Sequence, residues 1–76
     1  MSNIEQFEKD LNDHLAKEFN ASNQNDNIKK LSDAENTVYE FVNNYVKKYG
    51  LDRSDLNITS TYLISEFAKK KINYIE

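Results

Sequence analysis

Few side chains in this sequence could do chemistry, and their spacing limits what that chemistry is. His14 is the only histidine. Asp10 precedes it by four residues, which puts the two on one face if the segment is helical, and Asp13 is its neighbour in the chain. An imidazole beside a carboxylate is the beginning of an acid–base pair or of a metal site. Two ligands do not complete a metal site, and with no cysteine there is no thiolate to serve as a third. The spacing therefore favours a boundary histidine between Leu11 and Leu15 with one nitrogen in water. Carboxylate pairs recur at Glu8 with Asp10 and at Asp52 with Asp55. Catalysis would need one member of a pair held in a cleft with a raised pKa. A 76-residue chain has little volume left for a cleft once a core is built. One glycine cannot form a glycine-rich phosphate loop, and no serine stands in a nucleophile elbow. No catalytic residue, metal or cofactor is expected, and the chain is not expected to be an enzyme.

Binding residues are easier to find. Five tyrosines and four phenylalanines are many for a small chain. Tyrosine left at the surface offers contact area at low entropic cost and is enriched in interfaces. Tyr62 and Tyr39 fall at the polar side or edge of their segments, and Val46 shares the edge with Tyr39, so these three are candidate contacts for a protein partner or a homodimer. A second candidate surface is acidic. Glu5, Glu8, Asp10, Asp13 and Glu18 crowd the first segment, and Glu8, Asp10 and Asp13 could present negative charge to a basic partner. The competing reading is nucleic-acid binding. Lys29, Lys30, Lys69, Lys70 and Lys71 lie far apart in sequence, yet an up-down-up arrangement brings them to one end, where they could hold phosphates. Against it stand a formal net charge of −3 and the near absence of arginine.

Three elements must position these residues. Residues 3–19 place Ile4, Phe7, Leu11, Leu15 and Phe19 on one narrow stripe, as expected of a helix lying against a bundle. Residues 20–30 are rich in asparagine and small polar side chains, which favour a loop, with Ile28 or Leu31 pinning its far end. Ser32 and Glu35 have the spacing of a capping box, so a central helix is expected over 33–49. Lys47 and Lys48 suit its last turn, and Gly50 suits a left-handed stop. A short turn is expected at 52–57, anchored by Leu56 and Ile58, and Thr59 or Ser60 then caps a third helix over 60–75. There the stem of Lys71 must lie along apolar surface. The β-branched residues of 57–64 leave a strand as the alternative.

The absence of proline and the single glycine disfavour an all-β fold. The expectation is one all-α domain over 1–76, a small three-helix bundle. No apolar run approaches the ~20 residues that span a bilayer, and residues 1–11 do not resemble a secretory signal. A cytoplasmic location without membrane contact is expected. Lysine far outnumbers arginine and asparagine is abundant, a composition of AT-rich coding that fits a bacterium or a phage. The function expected is a protein-interaction module, regulatory or inhibitory, with the accessory nucleic-acid binder as the alternative.

Overall fold

The computed structural model describes residues 3–72, which form four helices and no strand. They are α1 (Asn3–Ala21), α2 (Asn27–Glu35), α3 (Val38–Tyr49) and α4 (Arg53–Ile72). α2 and α3 form two arms of one bent helix, so the architecture is a three-helix bundle.

α1 follows from its four-residue steps. Phe7, Leu11 and Leu15 are fully buried and Phe19 nearly so. The stripe is narrow, but it does not face a single neighbour. α1 packs against both α2 and α4, and its Phe7 also meets Phe41 and Tyr45 of α3. Its opposite face, with Lys9, Asn12, Asp13 and Lys17, stays exposed, so α1 lies against its neighbours as its narrow stripe indicates.

The expected loop over 20–30 shrinks to residues 22–26. Asp26, in extended backbone, accepts a hydrogen bond from the Ile28 N–H at 3.0 Å and starts α2. The Ser22 hydroxyl donates to Asp33 at 2.7 Å and ties the loop back onto that helix. One good cap and the burial of Leu31 and Ala34 outweigh the turn preference of the asparagines. Leu31, not Ile28, enters the core; Ile28 is exposed.

The helix expected over 33–49 is divided at Asn36–Thr37, and Ser32 and Glu35 lie within α2 rather than capping its successor. The cause is local. Ala34 O accepts both the Thr37 N–H, at 3.1 Å, and the Thr37 hydroxyl, at 2.7 Å. This three-residue pattern tightens the turn and interrupts the four-residue ladder between α2 and α3. α3 ends as its sequence indicates. Gly50 adopts φ 65° and its N–H returns to Val46 O at 2.8 Å, with Lys47 and Lys48 in the last turn.

The third helix begins seven residues before its expected start. Asp52 accepts the Ser54 N–H on its side chain at 2.9 Å and the Leu56 N–H on its carbonyl at 3.2 Å. Residues 52–57 are therefore not a separate turn, and 57–64 is not a strand; Thr59 and Ser60 are interior helical residues. α4 buries Leu56, Ser60, Leu63 and Phe67. Ile58, two residues after Leu56, points outward and anchors nothing. Tyr74 and Ile75, the end of the expected third helix, lie outside the described residues.

Burying each large core side chain stabilises the fold by about 1.5–3 kcal/mol. Ser60 works against this. Its hydroxyl is buried with no hydrogen-bond partner among the described residues. Removing an unsatisfied buried hydroxyl relieves its desolvation cost. Ser60→Ala should raise unfolding stability by about 1 kcal/mol, measured as a higher urea midpoint at unchanged slope.

Candidate functional site

The chemistry-bearing side chains of α1 are spent on packing partners. Asp10 accepts the Tyr45 hydroxyl at 2.9 Å and the Gln6 amide at 2.9 Å. Asp13 meets Lys9 at 3.6 Å, one exposed turn away. Glu8 is two residues from Asp10, about 200° around the helix by the 100° step. The structure thus does not gather Glu8, Asp10 and Asp13 into one acidic face. His14 pairs with neither aspartate. Its Nε2 lies 2.7 Å from Thr37 Oγ1, and its ring stacks on Phe41 at 4.6 Å. Thr37 has one hydroxyl hydrogen, and that hydrogen goes to Ala34 O. Thr37 Oγ1 therefore accepts, and His14 Nε2 is the donor. The histidine clamps α1 to the α2–α3 bend.

A shallow depression of about 340 Å³ lies between α1 and α3, lined by Asp10, Phe41, Asn44, Tyr45, Lys48 and Tyr49. Its wall is a ladder of rings at four-residue steps. Phe41 and Tyr45 are 5.8 Å apart, and Tyr45 and Tyr49 are 4.6 Å apart. Lys48 caps the ladder 5.4 Å from the Tyr49 ring. Burial, the bond to Asp10, the Asp10 charge and the neighbouring Tyr49 together push the Tyr45 hydroxyl up to about 12. Near neutral pH it is held as a hydrogen-bond donor and is not poised to exchange a proton.

The second depression is larger and more apolar. A groove of about 480 Å³ runs between α2 and α4, lined chiefly by Ile28, Leu31, Ile64, Ala68 and Ile72. Thr61 and Ser65 form its outer lip, and Ile58 and Tyr62 stand one turn from them on α4. Ile28 is 61% exposed, Ile58 71% and Tyr62 62%. Tyr39, at 74%, is exposed on α3 but lines neither depression. Val46 is half-buried and packs on the core. The sequence places Tyr62 outward and sets Ile58 inward as an anchor, and it leaves Ile28 and Leu31 as alternatives for the core. The signal for Ile58 is its offset from Leu56, which on a helix begun at Asp52 turns it to the far side.

The lysine end does come together in part. Lys30 lies 5.5 Å and Lys71 5.9 Å from the centre of the Phe19 ring, and Lys71 is also 5.7 Å from Phe67. The Asn27 amide donates to Lys71 O at 3.0 Å and joins the start of α2 to the end of α4. Lys29 and Lys70 are exposed, and Lys69 meets Glu66 at 3.5 Å. Among the described residues no group of three or more metal-binding side chains occurs.

The Tyr45–Asp10 bond carries a testable pH dependence. Folding raises the hydroxyl from 10.0 to about 12, so its contribution is full below pH 10 and is lost as pH rises through 12. Tyr45→Phe should make stability fall less steeply over that interval than in the wild type. Urea unfolding at a series of alkaline pH values measures the difference between the two slopes.

No protein family, curated protein or solved structure matches this chain, so its functional reading rests on these surfaces.

Proposed function

We propose that the chain is a small protein-interaction module, regulatory or inhibitory in role, that acts in the cytoplasm of a bacterium or phage-infected cell by binding a protein partner or itself. One observation carries this reading: exposed Ile58 and Tyr62 stand one helical turn from Thr61 and Ser65 at the edge of the apolar groove between α2 and α4. Single exposed apolar residues are ordinary, but a contiguous patch of them is a recurrent mark of an interface. The flanking residues fit an interface rim, with Lys69 and Glu35 at the margins of an apolar centre. Tyrosine at such a centre is a frequent hot spot.

The test is comparative capture. The immobilised chain and its Ile58→Asp and Tyr62→Asp variants are exposed to extract of the source cell, and retained proteins are quantified by mass spectrometry. A specific partner should be retained by the wild type and lost about tenfold or more by either variant, the effect of removing a hot spot. Both residues are exposed, so the variants should keep the helical circular-dichroism spectrum. Equal retention by all three proteins would remove this surface from the reading.

A second reading, an accessory nucleic-acid binder, is favoured by the convergence of Lys30 and Lys71 on Phe19 beside exposed Lys29 and Lys70. Four phosphate contacts predict an affinity loss of about 100-fold between roughly 50 and 200 mM salt. Reversing Lys29, Lys30, Lys70 and Lys71 to glutamate should abolish binding to a fluorescent oligonucleotide. Salt-independent or unchanged binding would exclude the lysine end.

A further inference from the structure

α4 carries exposed apolar residues, Ile58 and Tyr62, on the side away from its core row. Its inner row is Leu56, Ser60, Leu63 and Phe67. On the far side run two adjacent rows at seven-residue steps: Asp55, Tyr62 and Lys69 in one, Ile58, Ser65 and Ile72 in the other. Asp55, Ile58, Tyr62, Ser65 and Lys69 are all exposed, and Ile72 is half-exposed at the end of the groove. Seven-residue recurrence on one face is the spacing with which one helix packs along another.

The charges in this stripe are placed symmetrically about Tyr62. Asp55 lies seven residues before it and Lys69 seven after, about 10 Å to either side at 1.5 Å per residue. We propose that the partner is a second copy of this chain, docked through α4 in antiparallel orientation about a two-fold axis near Tyr62. This deepens the protein-interaction reading above and rests on it. In antiparallel alignment Asp55 of each copy faces Lys69 of the other, giving two ion pairs. The two Tyr62 rings meet at the axis, and each Ile58, four residues before it, lies at the level of Glu66 of the other copy, with Ser65 one residue away. Parallel alignment instead sets Asp55 against Asp55 and Lys69 against Lys69, which is repulsive. The charge order therefore selects both the partner and its direction. Among the described residues Lys69 pairs with Glu66, at 3.5 Å on the exposed surface, and such a pair holds it weakly. A contact confined to one helix and the adjacent groove sits at the low end of interface sizes, so the association is weak and reversible.

Sedimentation equilibrium over about 10 µM to about 1 mM, in the range where weak dimers dissociate, is the direct measurement. The wild type should move with concentration from its 8.9 kDa mass toward twice that mass. Tyr62→Asp should weaken the dimer about tenfold or more, the effect of a hot-spot loss. Asp55→Lys and Lys69→Asp should each weaken self-association by placing like charges together at both ends of the contact. An equimolar mixture of these two variants should associate again, because each then faces its opposite. Circular dichroism of every variant guards against loss of fold.

A wild type that is monomeric throughout, a dimer indifferent to Tyr62→Asp, or a mixture that fails to regain association would each overturn the proposal. A monomeric wild type whose cellular partner is still lost on Tyr62→Asp would overturn the second copy as occupant while leaving the protein-binding reading in place.

Discussion

Everything in this bundle depends on covering the stripe Phe7, Leu11, Leu15 and Phe19. Three of these side chains are fully buried, and no single helix could enclose them. α4 and α2 cover most of the stripe, and the α3 rings close over Phe7. A chain of this size sits near the lower limit for an independent core, so the fold has few spare contacts. α1 therefore turns its apolar stripe inward against its neighbours and keeps its polar face in water.

Polar contacts then decide how the covering helices are angled. Thr37 folds its hydroxyl back to Ala34 O and receives His14 Nε2 on the other side. The bend between α2 and α3 is thereby tied to α1 at one point, and the Tyr45–Asp10 bond ties α3 to α1 a few turns away. These two links use the histidine and the aspartate whose spacing first suggested a reactive pair. Their role is to tie α1 to the α2–α3 junction and to α3.

α1 and the end of α3 were legible from sequence because each carries a complete local signal: an unbroken four-residue stripe in one, a glycine stop after two lysines in the other. The start of α4 was not. Its inner row includes Ser60, which interrupts the apolar period, while Ile58 and Tyr62 add apolar residues on the opposite side, so the two faces cancel each other's pattern. α2 was hidden for another reason. It buries only Leu31 and Ala34 among asparagines and lysines, too few positions to establish a period. Of the candidate surface residues, the outward positions of Tyr39 and Tyr62 could be read from helical geometry, and the meeting of Lys30 with Lys71 from chain direction. The partner of His14 could not, since Thr37 lies 23 residues away and spacing rules reach only one helical turn.

The pairing of α1 with α4 joins nearly the first and nearly the last described residues of the chain. During synthesis the stripe on α1 emerges well before Leu56, Leu63 and Phe67 of α4. Until then α2 can cover only part of it, and Phe7, Leu11 and Leu15 stay accessible to water and to other chains. Native packing of the stripe therefore waits for α4, and the interval before it is when this segment is most open to aggregation or to capture by a chaperone.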